Sequence, residues 1–258
     1  MSAEPWLTVV TVVRDDLTGL QRTCSSLAAQ DLTGVEYLVV DSSSDRASVP
    51  AATMSAGLDA RHEWVAPAGV YPAMNRGLAL ATGEYTYFLN AGDTLYGSDV
   101  LSHVHQALQS EDASWAFGPV EVVSRDGTRT ITPPWDFPRE QALGFSRGHF
   151  PPHQGTFVRT SLLRELGGFD PSYTIVADYA AFLRLSQVAA PMVLDTVIAT
   201  FVEGGVSTRR WKASIREFHR ARRRILEPTG LAAWRERYET AAQFLRLFVV
   251  RELLRRGR

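Results

Sequence analysis

The sequence predicts an α/β fold: a mainly parallel sheet covered by helices on both faces, followed by a C-terminal helical tail. Three observations carry that expectation. Short β-branched apolar runs alternate with longer helical stretches through the first hundred residues, the order that calls for parallel strands joined by crossover helices. Polar clusters stand directly after the first, second and fourth runs, where open sheets of this kind bind ligands. The 258 residues, 45% apolar and 21% charged, suit one sizeable buried core with a small appendage.

Leu7–Val13 reads as a buried strand, and Leu20–Ala29 as a helix opened by Thr18 with Gln21 at capping-box spacing. Glu36–Val40 is the second strand and ends at Asp41-Ser42-Ser43-Ser44-Asp45. Arg61–Val65 is the third. Pro72–Ala81 is a helix with Pro in its first turn and Gly83 just beyond its end. Tyr85–Leu89 is the fourth strand and runs into Asn90-Ala91-Gly92-Asp93, after which Ser98 caps a helix to about Gln109.

The second half is less regular. Trp115–Val123 and Thr128–Thr132 flank Arg125-Asp126-Gly127 as a hairpin, and the Pro-rich Thr132–Pro138 reads as a surface loop. His153–Val158 reads as a strand, Ser161–Leu166 as a short helix ended by Gly167-Gly168, and Asp178–Gln187 as a helix with its Asp in the first turn. Val197–Phe201 then precedes Gly204-Gly205-Val206-Ser207. In the tail, Trp211, Ile215, Phe218 and Ile225 share one helical face, whereas the apolar positions of Leu231–Leu254 spread nearly all round. The chain therefore divides into residues 1–208 and a basic helical extension, 209–258.

Several chemistries are excluded by missing motifs. No Gly-x-Gly-x-x-Gly follows the first strand, no phosphate-cradling Gly-Lys-Ser/Thr loop occurs, and no Cys/His set has zinc spacing. Gly-x-Ser-x-Gly is also missing. Cys24 is the single cysteine, so no disulfide within the chain is available, and a reducing, cytoplasmic setting is expected. Its place in a helix marks it as a small packing residue. No apolar run reaches the roughly 18 residues needed to span a bilayer.

A net charge of −1 hides an asymmetry. Residues 1–208 hold 12 Lys and Arg against 23 Asp and Glu, whereas 209–258 hold 15 against 5. A basic tail on an acidic body is expected to meet an anion: the body itself, a phosphorylated substrate, or anionic headgroups on the inner face of the cell membrane. The tail lacks a recognisable nucleic-acid module, and no nucleic-acid partner is expected.

What chemistry remains lies in carboxylates on strand ends. Asp41 suits an acceptor for base or ribose donors, and Asp93, beside the permissive Gly92, suits a hard-cation ligand that shares its metal with phosphate oxygens. Either Asp taken alone reads first as a turn residue capping the next helix.

Read in order, the motifs say more. Leu7–Arg14, Tyr37–Asp45, Ala73-Met74-Asn75-Arg76-Gly77, Ala81-Thr82-Gly83-Glu84-Tyr85 and Phe88–Asp93 are followed by His153-Gln154-Gly155-Thr156-Phe157, Gly167-Gly168-Phe169-Asp170, Ala177-Asp178-Tyr179 and Gly204–Ser207. Over roughly residues 6–208 this series resembles the family-2 glycosyltransferases of the GT-A, Rossmann-like fold. The nearest likeness is to the bacterial branch that builds exopolysaccharides and glycolipids, with Asn-x-Gly-Asp in place of Asp-x-Asp.

The resemblance implies an inverting transfer of a hexosyl or deoxyhexosyl unit from a nucleoside-diphosphate sugar to a hydroxyl of a glycan or lipid-linked acceptor. It implies that Thr11, Arg14, Asp41 and Ser43 hold the nucleoside, that Asn75 and Arg76 lie near the nucleotide, and that Asn90, Ala91 and Asp93 form the metal and diphosphate motif for Mg or Mn. Asp178 falls at the place of the catalytic base, and His153 and Ser207 where the acceptor-side half closes over the diphosphate. The sequence departs from the commoner pattern in three places: the metal motif has one carboxylate, Pro72 stands where relatives carry Asp, and Ala177 precedes the base where many members have an acid. An Asp in a first turn is also a common cap. Two other readings follow from the same residues: a non-catalytic nucleotide-sugar-binding relative, and a sugar nucleotidyltransferase. The second would need a Gly-rich basic loop after the first strand, where this chain has Arg14-Asp15-Asp16-Leu17.

Overall fold

A computed structural model describes residues 4–133, 144–145, 149–204 and 210–256, with side chains as far as 249. Its centre is a seven-stranded sheet in the order β10-β6-β9-β4-β1-β2-β3. These strands are β1 (Leu7–Val13), β2 (Val35–Asp41), β3 (Ala60–Trp64), β4 (Tyr85–Phe88), β6 (Trp115–Phe117), β9 (Thr156–Arg159) and β10 (Met192–Val193). β1, β2, β3 and β4 run parallel, and β9 is antiparallel to both β4 and β6. A smaller sheet, β5-β11-β7-β8, sits beside it, built from β5 (Thr94–Leu95), β7 (Val120–Val123), β8 (Arg129–Ile131) and β11 (Ala199–Val202).

Strand alternation divides the core in two. Val10, Val12, Leu38 and Val40 face α3 (Val70–Leu80) and α6 (Ala177–Val188). Leu7, Val9, Val13 and Val39 face α1 (Leu17–Ala28), α2 (Ser48–Ser55) and α4 (Val100–Ser110). Gly77 lets α3 lie close on β1, since a Cβ there would come within 2.4 Å of Val10 Cγ1. Short α5 (Thr160–Glu165) follows β9. Cys24 is buried in the second core layer, as expected of a packing residue.

The tail forms α7 (Trp211–Leu226) and α8 (Gly230–Arg256). On α7, Ile215 and Ala221 are buried, and the Phe218 ring meets Tyr179 of α6 edge-on at 4.6 Å. Arg222 is 1% exposed and donates to Glu236 of α8 at 3.0 Å and to Thr240 at 2.8 Å. That pair fixes α8 to α7. The outer side of α8 leaves Leu231, Trp234 and Tyr238 exposed.

Some elements differ from the sequence reading for local reasons. Helix α1 is capped by Asp16, whose Oδ1 accepts from Gly19 N–H at 2.8 Å, rather than by Thr18. Helix α4 starts after Asp99 instead of Ser98. The run Trp115–Val123 is broken at Gly118-Pro119 into β6 and β7, which join different sheets. Pro119 cannot donate to a ladder, and a side chain on Gly118 would collide with Thr196 O at 2.6 Å. The hairpin across Arg125-Asp126-Gly127 is present between β7 and β8. His153–Gly155 is a 3₁₀ turn ahead of β9, closed by Gly155 N–H donating to Pro152 O. Helix α2 has no apolar stripe to announce it. Most of the expected loop 132–138 lies outside the described residues.

Candidate active site

The carboxyl ends of β1, β2 and β4 open into a cleft of about 330 Å³, walled by Arg14, Asp16, Ser42, Pro67, Gly69, Val70, Asn90 and Ala91. Its first wall is the turn after β1. Asp15 sits there at φ 52°, a left-handed conformation that costs a non-glycine residue about 1–3 kcal/mol. The neighbouring loop holds it: Asp15 N–H donates to Ser43 Oγ at 2.9 Å, and Ser44 N–H and Oγ donate to Asp15 Oδ1 at 2.9 and 2.8 Å. Those Ser44 bonds keep the Asp15 carboxyl below its ordinary pKa. Asp41 is buried at the end of β2, with Oδ1 accepting from Ser43 N–H at 2.7 Å.

The second wall is the loop after β4. Gly92 adopts φ 99°, a conformation open to glycine with little strain. Buried Thr23 on α1 ties the loop down, accepting from Gly92 N–H at 3.0 Å and donating to Asp93 O at 2.7 Å. Asp93 is partly buried, and burial raises its pKa to about 6, against the opposing effects of His153 and a hydrogen bond from Gln154.

The third part is a cluster on α6. Asp178 Oδ1 accepts from Tyr179 N–H at 2.9 Å and lies 3.0 Å from the Tyr71 hydroxyl, which also reaches Ile175 O at 2.7 Å. Burial first, and then the Asp178 charge, push the Tyr71 pKa far up, so the phenol keeps its proton. Asp178 Oδ2 faces His153 Nδ1 at 3.4 Å, and His153 Nε2 lies 3.1 Å from Asn90 Nδ2. Burial disfavours charge on His153, but its bond to Asp178 and the charges of Asp178 and Asp93 raise its pKa overall. The helix cap is Val176, and Asp178 stands within the first turn, where the helix dipole favours a carboxylate.

Among the described residues no three His, Cys, Asp or Glu side chains gather as a metal centre. Two hard oxygens do stand on the loop after β4, the Asp93 carboxylate and Asn90 Oδ1, which is buried without a hydrogen-bond partner. That donor set fits a divalent cation completing its shell with phosphate oxygens and water.

The structure brings Arg14, Asp41, Ser43, Asn90, Ala91, Asp93, His153 and Asp178 to one end of the sheet. Three residues expected there do other work. Thr11 is fully buried on the α1 side of β1, its hydroxyl donating to Leu89 O and accepting from Tyr37. Asn75 spends its amide on the Gly-Gly-Phe turn, bonding Phe169 O at 2.6 Å and Phe169 N–H at 2.8 Å. The Arg76 guanidinium is held by Glu63 through two bonds of 2.9 and 2.6 Å and is not among the residues that line the cleft. Ser207 lies outside the described residues. Asp16 and Ser42, which the sequence reading placed in the strand-end clusters without a role, line the cleft, and Tyr71, which it missed, stands beside Asp178. Tyr71 precedes the expected helix start at Pro72 and meets Asp178 across 107 positions, a contact no local pattern reveals.

A family model described as Glycosyl transferase family 2 matches residues 8–167. An uncharacterized glycosyltransferase of Mycobacterium tuberculosis is 32% identical over 221 residues, 83% of this chain and 82% of that protein. A PGL/p-HBAD biosynthesis glycosyltransferase of Mycobacterium bovis is 33% identical over 143 residues, covering 54% and 53%. The crystal structure of S. aureus TarS 1–349 in complex with UDP-GlcNAc superposes with a TM-score of 0.68 at 17% identity, over 94% of this chain and 72% of that one. Against a longer TarS chain the coverage is 43% of TarS. The mannosyltransferase PcManGT from Pyrobaculum calidifontis, in complex with GDP-Man and Mn2+, gives 0.63 at 16% identity, over 99% and 80%.

Proposed function

Because this chain belongs to glycosyl transferase family 2, we propose that it moves a sugar, with inversion, from a nucleoside-diphosphate donor to a hydroxyl of a glycan or lipid-linked acceptor. The observation that carries this reading is the chain of contacts from Asn90 in the cleft wall through His153 to the Asp178 carboxylate. The nucleoside sits against Arg14, Asp41, Ser42 and Ser43, and the sugar's C1 lies toward Asp178. An acceptor oxygen attacks C1 as the bond to the diphosphate breaks, and the hydroxyl proton passes to Asp178. Such a positioned base typically contributes about 10²–10⁴-fold. Tyr71 and His153 hold the two carboxylate oxygens in place. Asp93 and Asn90 would hold a divalent cation, Mg or Mn, which would supply Lewis-acid stabilisation of the departing diphosphate; support comes from PcManGT, whose complex contains Mn2+.

The acceptor and setting belong to the same proposal. A relative named for PGL/p-HBAD biosynthesis supports a glycolipid product in cell-surface synthesis. Among the described residues no helix is long and apolar enough to cross a membrane. Exposed Leu231, Trp234 and Tyr238 on a tail with 15 basic against 5 acidic residues support contact with an anionic membrane surface from the cytoplasmic side.

Titration with UDP, GDP and TDP, with and without Mn²⁺, followed by nucleotide-sugar turnover by wild type and Asp178→Asn, tests the proposal. We expect one diphosphate to bind, and the variant to keep that affinity while losing about 10²–10⁴-fold in turnover. No diphosphate binding, or unchanged turnover by the variant, overturns it.

A further inference from the structure

Gly92 stands at the middle of the loop after β4, and its φ of 99° keeps a side chain out. The space that side chain would fill is shared by two charged groups. Arg22 Nη2 and Asp16 Oδ2 each lie 3.8 Å from the position of a Cβ on Gly92. Asp16 has its other oxygen on Gly19 N–H at 2.8 Å, and it forms part of the cleft wall. Arg22 is exposed on α1, and among the described residues it takes part in no ion pair or hydrogen bond. Thr23, the next residue, is the one that bonds Gly92 N–H and Asp93 O, so the guanidinium is carried by the same turn that fixes the loop.

On the proposed function, the nucleoside lies at the ends of β1 and β2 and the reacting carbon lies toward Asp178. The diphosphate must then cross the loop Asn90–Asp93 between them. We propose that Arg22 binds that diphosphate, its guanidinium reaching phosphate oxygens over the bare face of Gly92. A planar guanidinium offers paired donors that match phosphate and stays charged at every working pH. The neighbouring charges are mixed: Asp16 and Asp93 repel the anion, and Arg14, 65% exposed at the other side of the cleft, attracts it. Asp93 is the single carboxylate of the Asn90–Asp93 loop, and Arg22 adds a positive charge beside the one that a cation there would bring.

Calorimetric titration of the full chain with UDP, GDP and TDP, and with the matching nucleosides, tests this in Mn²⁺ and in EDTA. Wild type is compared with Arg22→Ala and Arg22→Lys. Arg22→Ala should weaken the diphosphate by roughly tenfold or more, the scale of one charge-assisted hydrogen bond, and leave the nucleoside within about twofold. Arg22→Lys should recover part of the loss. The unliganded melting temperature should stay close to wild type, since the side chain is exposed and makes no ion pair or hydrogen bond among the described residues. Equal diphosphate affinity in Arg22→Ala, or an equal loss for nucleoside and diphosphate, overturns the assignment. If wild type binds no diphosphate in either buffer, the donor reading itself fails and Arg22 falls with it.

Discussion

At Tyr71 the phenolic hydroxyl lies within hydrogen-bond reach of Ile175 O and Asp178 Oδ1, so on the proposed function this residue positions the base. Tyr71→Phe keeps the ring in its core and removes only the hydroxyl. Turnover should fall about tenfold, the value of one hydrogen bond to a charged group, and diphosphate affinity should hold; steady-state kinetics beside calorimetry separates the two. Asp93 makes a second prediction. Burial raises its pKa from 3.8 to about 6, so between those values the folded state binds more protons than the unfolded one. Its contribution to stability is then greatest at low pH and declines as pH rises through that window. In ligand-free protein, Asp93→Asn should melt near wild type at pH 4 and several degrees above it at pH 8. A difference independent of pH overturns this.

At the scale of elements, the site is a set of loops held by neighbours distant in the sequence. The loop after β4 rests on α1 through Thr23, the turn after β1 on the loop after β2 through Ser43 and Ser44, and α3 on the Gly-Gly-Phe turn through Asn75. Thr23→Val preserves shape but leaves Gly92 N–H and Asp93 O without their partner. The expected loss is about 1–3 kcal/mol in urea unfolding, with weaker diphosphate binding because the loop is released. Stability unchanged within error would show that the hydroxyl does not hold the loop.

For the whole molecule, the tail has two faces with different duties. Its inner face is core, through Ile215, Phe218 and the buried Arg222–Glu236 pair. Removing residues 211–258 should lower the melting temperature sharply, because Tyr179 and its neighbours lose their cover. Its outer face leaves Leu231, Trp234 and Tyr238 exposed. Trp234→Ala with Tyr238→Ala should leave the melting temperature nearly unchanged but reduce co-sedimentation with anionic vesicles. Wild-type binding should also fall as salt rises. Equal binding to neutral and anionic vesicles would remove the membrane from the proposal.

The sequence by itself determined the layered α/β fold, the order of its first four strands and the strand-end clusters, since strand alternation, helical periodicity and Gly or Pro punctuation are local properties of the chain. Asp41 and Asp93 were legible from the strand ends that they follow, and Asn90 and Asp178 through the family resemblance. Tertiary structure alone decided which motif residues face the cleft. Thr11 and Asn75 occupy the expected motifs, yet their polar atoms satisfy buried backbone or neighbouring groups, and Arg76 is claimed by Glu63. The same holds for what was missed: Tyr71 meets Asp178 across 107 positions and Arg22 meets Gly92 across the α1 packing. Hydrogen-bond partners and charges are assigned by proximity in space, and no spacing in the chain encodes them.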